Sequence, residues 1–299
     1  MFKSVVCFGE TLWDLLPAGR QPGGAPLNVA VHARNLGLSA AIISRVGTDD
    51  LGRELLGFLA GRGLSLAHVL QDPHHPTGVV KVNVDNRSEV TYDIVQPVAW
   101  DYIPPSEALR GLVEQADAFV YGSLAARSPA TRATLYGLLP HARLRVLDVN
   151  LRPPHYTRDV VEHLLTQADL AKMNHHELSE ISTWLGAFPD QDSAMQALTE
   201  HFRLQALCVT LGAAGAVLYT GGSFFRSPGF AVEVADTIGS GDAFLAALLK
   251  GYLLGQPPAS YLRQACATGS LVATYPGATP AISEAAVVDL LGSARYSGS

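Results

Sequence analysis

The chain has 299 residues, enough for one large α/β domain with an insertion or for two ordinary domains, and its 48% hydrophobic and 16% charged content leaves no stretch that reads as disordered. A formal charge of −6 argues against a broad electrostatic grip on nucleic acid or acidic membrane, so any anion site must be local. Cys7, Cys208 and Cys266 form an odd set without metal-type spacing in apolar surroundings; the start lacks a signal-peptide pattern, and the most apolar later segment, 243–254, is broken by Lys250 and too short to span a bilayer. These features predict buried free thiols and a cytoplasmic protein without disulfides.

In chain order, residues 3–9 form a short β-rich run ending in glycine. A helix-period segment follows at 27–36, then a strand at 41–46 and a helix at 51–60. Further strands are predicted at 118–121, 145–149, 170–173 and 206–210, with helices at 130–139, 160–165 and 194–202 between them. Such alternation predicts a mostly parallel sheet covered on both faces, with ligands beyond the carboxyl ends of the strands.

Residues 77–95 break the alternation. Val80, Val82 and Val84 alternate with polar residues, as do Val90, Tyr92 and Ile94, around Asp85-Asn86-Arg87. This is a hairpin with one apolar face. No neighbouring segment reads as a helix to cover that face, which predicts that it packs over a ligand pocket, on a second copy of the chain, or both. The chain is therefore expected to be one domain, 1–299, with a β lid inserted from about 11–20 and 72–100. Tyr92 and Trp100, near the lid, either pack on a ligand or on each other.

The strongest chemical signal is Asp236-Thr237-Ile238-Gly239-Ser240-Gly241-Asp242, which runs directly into the helix-forming segment 243–249. A small-residue turn feeding a helix N-terminus exposes backbone amides at the positive end of the helix dipole, an arrangement that holds an anion. A carboxylate at the rim of a phosphate site would only repel phosphate, so Asp242 makes sense there if it takes the proton of an attacking hydroxyl. Taken alone, the same residues also read as a turn and a helix cap.

The stretch 236–249 resembles the C-terminal signature of the ribokinase-like, pfkB-type carbohydrate kinases. Gly23-Gly24-Ala25-Pro26-Leu27-Asn28-Val29-Ala30, with Gly37 and Gly47 downstream, is similar to their N-terminal signature. The resemblance implies a three-layer α/β/α, Rossmann-like fold with a mostly parallel sheet and a small β-sheet lid, and an ATP-dependent sugar kinase using Mg²⁺. It makes Asp242 the catalytic base and Gly239, Ser240 and Gly241 the anion hole, with Ser240 standing where alanine is usual. It gives sugar contacts to Asp14, Gly23, Gly24 and Asn28, a role that suits carboxylate and amide oxygens and bare glycine backbone.

Asn174-His175-His176-Glu177 resembles the family's Asn-x-x-Glu element, which implies that Glu177 organises the water shell of Mg²⁺ and Asn174 lies near the nucleotide; the same residues also fit a capping box. Thr210, Gly212 and Gly215, with Gly241, match positions beside the ribose and phosphates, and Ala267, Thr268 and Ser270 match positions near the adenine, Thr268 replacing a common asparagine. Asp236, Ile238, Val272, Tyr275 and Gly277 match a monovalent-cation site, so K⁺ activation is implied; Ala281 stands where a side-chain oxygen is sometimes supplied.

Segments 23–26, 120–125 and 147–153 look most like the fructokinase branch. Asn150 and Arg152, after a predicted strand, either bind the sugar or, for Arg152, pair with a neighbouring carboxylate. A kinase for 2-keto-3-deoxygluconate, ribose or a nucleoside differs only in pocket contacts, and a non-catalytic sensor on this fold would be expected to lose Asp242 or a glycine of the turn, neither of which is lost. Gly9-Glu10 after the first strand is not a dinucleotide fingerprint. His74-His75 and His175-His176 are expected to be surface pairs pointing apart rather than metal ligands.

Overall fold

In the computed structural model, which describes residues 3–16, 19–84 and 90–293, the first strand, β1 (Ser4–Phe8), sends Val5 and Cys7 into one apolar cluster and Val6 and Phe8 into another. A strand buried on both faces belongs at the centre of a sheet covered by helices on each side. The chain continues through β2 (Leu12–Leu16), β3 (Gly19–Gly23), α1 (Ala25–Asn35), β4 (Ser39–Gly47), α2 (Asp50–Gly61), β5 (Val69–Asp72), β6 (Gly78–Val84), β7 (Val90–Ile94) and α3 (Glu107–Gln115). Then come β8 (Ala118–Gly122), α4 (Pro129–Leu138), β9 (Arg145–Asp148), α5 (Arg158–Gln167), β10 (Leu170–Asn174), α6 (His175–Ser182), α7 (Gln191–Phe202) and β11 (Ala206–Thr210). The last elements are β12 (Ala216–Thr220), β13 (Ser223–Ser227), α8 (Ser240–Leu253), α9 (Pro258–Val272) and α10 (Glu284–Ser293).

Nine strands form the main sheet in the order β13-β12-β11-β10-β9-β8-β1-β4-β5. Pairing is parallel from β5 to β11 and antiparallel for β12 and β13. The chain moves outward from β1 through β4 to β5, then returns to β8 on the other side of β1. Strand order therefore reverses at β1, and the crevice at the carboxyl ends of β1, β8 and β9 is where such a sheet receives ligands. One cluster packs Leu27, Leu55, Leu59, Leu245 and Leu262 from α1, α2, α8 and α9 against Val5 and Cys7. The opposite one packs Leu109, Leu135, Leu164, Ile181 and Leu198 from α3 to α7 against Val6 and Phe8. The three layers expected from the alternation are present, and Cys7, Cys208 and Cys266 are buried and free.

A second, four-stranded sheet has the order β3-β2-β6-β7. β6 and β7 are the expected hairpin, with Val80 opposite Ile94; its turn, Asp85-Asn86-Arg87, and the side chain of Tyr92 lie outside the described residues. β3 carries Pro22 and two glycines, breaker residues that hide a strand from sequence reasoning, and it is tolerated because it lies at a sheet edge. It runs to Gly23, past the bound expected near residue 20.

The expectation that the hairpin's apolar face packs only over a ligand pocket or on a second copy needs correction. Leu12, Val80 and Ile94 are buried against Val98, Trp100 and Leu124, so part of that face is closed by the chain itself. Trp100 is fully buried, and Arg127, its side chain 3% exposed, lies over its ring and bonds both Asp101 oxygens and the carbonyls of Ile94 and Val95. A buried guanidinium thus ties the base of the small sheet to the main body.

Candidate active site

β1 ends at Phe8, and three residues, Gly9, Glu10 and Thr11, lead into β2 of the small sheet. The chain comes back through β3 and enters α1 at Gly24, whose φ of 111° only glycine adopts freely. A side chain at Gly24 would put its Cβ 2.4 Å from the Glu10 carbonyl oxygen, and one at Gly23 would lie 2.2 Å from Asp14 Oδ2. The two glycines are therefore required by close approach, and they bring Asp14 over the entry to α1. Within α1, Asn28 donates from Nδ2 to Asp242 Oδ2 at 2.8 Å, joining the two sequence signatures across 214 positions of chain.

α8 begins at Ser240 with Gly239 as a left-handed cap, φ 77°. A Cβ at Gly239 would meet the Ala278 carbonyl oxygen at 2.1 Å, which presses the turn against the 272–278 segment. The amides of Ser240 and Asp242 are not bare as the sequence implied. They donate to the carbonyls of Thr237 at 3.3 Å, a long bond, and Gly239 at 3.1 Å, an ordinary one, whereas no such backbone bond closes on Gly241 among the described residues.

Burial pushes the Asp242 carboxyl up to about 7; Asp148 reinforces this, while Lys172, the Asn28 amide and Arg152 oppose it. Burial also drives Glu10 to about 7 and Asp14 to about 6, with Arg152 pulling against both. Asp14 is half-buried and Arg152 exposed. Arg152 makes no ion pair among the described residues, its Nη1 donating to the carbonyl of Leu151, yet its charge reaches Glu10, Asp14 and Asp242. Asn150 adopts φ 40°, rare for asparagine outside tight turns, and its carbonyl accepts from Ser123.

Along the crevice, Asn174 ends β10 directly opposite Thr210 at the end of β11. Asn174 Oδ1 accepts from the amides of His176 and Glu177 while Glu177 Oε2 accepts from the Asn174 amide, a complete capping box. Glu177 Oε1 takes the Leu151 amide at 2.8 Å, so this 6% exposed carboxylate spans β9 and β10. Gly212 and Gly215 flank the turn into β12, both at positive φ, and a Cβ at Gly215 would fall 2.0 Å from the Ser227 carbonyl oxygen.

Asp236 accepts from the amides of Ile238 and Gly277, which gathers those three, while the Val272 carbonyl takes the Tyr275 amide at the end of α9. Ala267 and Thr268 are not brought to the crevice. Ala267 is fully buried between helices, and Thr268, 1% exposed, turns its hydroxyl to the Gln264 carbonyl. The partly exposed positions nearby are Ser270 and Leu271, because the helical period turns 267 and 268 inward. His175 and His176 are exposed as expected, but their rings lie 3.9 Å apart rather than diverging; His75 bonds Asp72 and stacks on Tyr102.

Three residues of this region escaped the sequence reading. Lys172 and Asp148, 7% and 3% exposed, form an ion pair at 3.0 Å on neighbouring strands, and Glu10 is 3% exposed. A buried-strand lysine two residues before Asn174 and a carboxylate directly after the first strand were the available signals. Glu10 Oε2, Asn28 Oδ1 and Ser240 Oγ are all buried without a partner, and buried polar atoms in a folded protein are usually satisfied. Asn28 bonds Asp242 and the Glu10 and Asp242 charges act on each other, so a hydroxyl-rich ligand beside Asp242 would complete Asn28 Oδ1 and Glu10 Oε2.

A family model described as pfkB family carbohydrate kinase matches residues 3–285. The chain belongs to that family. A probable fructokinase-7 of Arabidopsis thaliana is 31% identical to this kinase over 97% of the chain and 93% of the relative. The crystal structure of a Xylella fastidiosa fructokinase with bound ATP superposes with a TM-score of 0.87 at 26% identity, covering 99% of this chain and 100% of that one. A double mutant of the Vibrio cholerae fructokinase, in a form bound to fructose, ADP and potassium ion, gives 0.84 at 26% identity, covering 97% and 98%. The kinase is a sugar kinase of ribokinase-like fold, and among its described residues no helix is long and apolar enough to cross a membrane.

Proposed function

We propose that this kinase transfers the terminal phosphoryl group of ATP to a hydroxyl of fructose, with Asp242 as the general base. The observation that carries the reading is the placement of Asp242 in the first turn of α8, bonded to Asn28 and holding a proton up to about 7. A base is most effective when its proton affinity sits near the working pH, and an ordinary carboxylate would be too weak. On the sugar side, Asp14, Gly23, Gly24, Asn28, Asn150 and Arg152 accept from or donate to hydroxyls, with Asn28 bonded to Asp242 and the Arg152 charge acting on it. On the nucleotide side, the 239–241 turn and the helix dipole meet the transferring phosphoryl group, with Asn174, Thr210, Gly212 and Gly215 along the nucleotide.

Mg²⁺ fits through water rather than directly. Both Glu177 oxygens already hold backbone amides, leaving lone pairs for ordered water, and oxygen-rich second shells suit a cation that keeps its hydration. When bound with ATP it would neutralise phosphate charge; Glu177 holds its water shell in place. The gathering of Asp236, Ile238 and Gly277 beside Val272 and Tyr275 fits a monovalent cation held mostly by carbonyl oxygens behind the turn. The small sheet acts as a lid over the sugar, and its outer hairpin, beyond the part covered by Trp100, is proposed to pair with a second copy of the chain. Light scattering across a concentration series is expected to give a dimer mass.

The deciding experiment is a coupled ADP-release assay with Mg-ATP against fructose, ribose, 2-keto-3-deoxygluconate, adenosine and small polyols, with and without potassium. Fast turnover on fructose is expected. Preference for another acceptor would replace the substrate, and no turnover on any would make the chain a sensor.

A further inference from the structure

Lys172 lies in the middle of β10 with its ammonium 3.0 and 3.2 Å from the two oxygens of Asp148 on β9. Both residues are more than nine-tenths buried. Taking two charges out of water costs several kcal/mol per ion unless their geometry repays it, so such a pair is weak evidence for stability by itself. Its position is more telling. A Cβ on Gly241 would lie 3.2 Å from Lys172 Nζ, so the ammonium sits directly beneath the turn that leads to Asp242.

We propose that the buried Lys172–Asp148 pair is a positioning device for phosphoryl transfer, which sets from beneath the 239–242 turn how readily Asp242 gives up its proton. The inference rests on the reading of Asp242 as the base. The ammonium favours the charged carboxylate and Asp148 disfavours it, so the two act in opposite directions on one group. Burial alone would lower the Lys172 ammonium, yet Asp148, Glu177 and Asp242 hold it above the usual lysine range. It therefore stays charged at any working pH. The remaining groups that face Asp242 are Cys7 and Glu10 from the end of β1, Asn28 from α1 and Arg152 after β9.

The opposition gives a test that a merely structural role would not satisfy. In pH profiles of kcat/KM at saturating Mg-ATP, Lys172→Met is expected to move the acid limb up by about one pH unit and Asp148→Asn to move it down. The double variant is expected to lie between them, and Lys172→Arg near the parent. Protonation of the nucleotide affects every variant alike and cancels in the comparison. Acid limbs of folded Lys172→Met and Asp148→Asn that coincide with the parent, or that move in the same direction, would overturn the proposal. Where Lys172→Met does not fold, Asp148→Asn decides alone: a downward limb supports the pair's role, and an unmoved or upward one removes it. Turnover by Asp242→Asn would instead remove the base itself, whereas an inactive Asp242→Asn with unmoved limbs in the pair variants removes only this inference.

Discussion

The two sheets of this kinase are stabilised in different ways. In the main sheet the central strands are apolar on both faces except at the buried Lys172–Asp148 pair, and Phe119 on β8 meets Phe8 on β1 at 6.0 Å and Tyr121 on its own strand at 5.9 Å between ring centroids. The small sheet buries two smaller patches, one around Trp100 and one where Trp13, with Leu15 and Val79, packs on the main core, and adds polar ties: Arg127 to Asp101 at its base, the Trp13 indole to the Leu51 carbonyl, and Arg20 to Glu54 on α2. Hydrophobic burial scales with area and tolerates little displacement, whereas a few directional bonds can be exchanged for others. Asp242, the proposed base, stands on the more deeply buried part and Asp14, a proposed sugar contact, on the part that depends more on polar ties. On the proposed reading, the chemistry would be held by the frame and acceptor recognition by the part able to adjust.

The comparison is broken most severely at Asp242. Asp242→Asn is expected to cut turnover by about 10²- to 10⁴-fold or more in the ADP-release assay while sugar binding persists. The same variant should be more stable above neutral pH. Asp242 is raised from 3.8 to about 7 in the folded state, so its contribution is intact below pH 3.8 and is lost as pH rises through 7. A melt at pH 8 should show a gain of about 2 to 4 °C over the parent, and little difference at pH 4.

Phe119→Ala, in the frame, should cost about 3 to 5 kcal/mol by denaturant titration and weaken both substrates together through unfolding. Arg127→Met should leave the buried Asp101 charge without its ion-pair partner, a loss of about 3 to 5 kcal/mol. Hydrogen exchange would show faster opening in β6 and β7 and unchanged protection in β1 and β8; uniform loss would place the small sheet within the same cooperative unit. Asp14→Ala should raise the sugar KM by about 10-fold or more, from lost bonds to a charged group, and leave the ATP KM alone. Equal loss of both would indicate a folding defect. Arg20→Ala, on an exposed pair, should change stability by less than about 0.5 kcal/mol.

The frame was legible because period-2 and period-3.6 patterns map directly onto buried strands and amphipathic helices. All six strands expected from apolar runs are present, β4 reaching two residues earlier than its run. β3 was hidden because Gly19, Pro22 and Gly23 are punctuation in sequence but an edge strand in space. The site was legible where chemistry is local, in the glycine turn before Asp242, and in the capping box of Asn174 and Glu177. Lys172 and Asp148 were not, since a charge inside an apolar strand reveals nothing until its partner, 24 positions away, is seen beside it. Ala267 and Thr268 went the other way, because family position says nothing about which side of a helix faces the core.

The passage from β1 into β2 through only Gly9, Glu10 and Thr11, with the second entry to the small sheet at β6, has a consequence for engineering. On the proposed reading, acceptor preference would be distributed over two excursions of the chain that meet through the pairing of β2 with β6, Asp14 opposite Val80, and through Leu12 packed on Ile94, Val98 and Trp100. Transplanting one excursion from a relative would leave a mismatched seam down the middle of that sheet. A graft of both, cut at the carboxyl end of β1, the start of α1, the end of β5 and after Trp100, would carry the proposed recognition surface as one module and leave the 239–242 turn native.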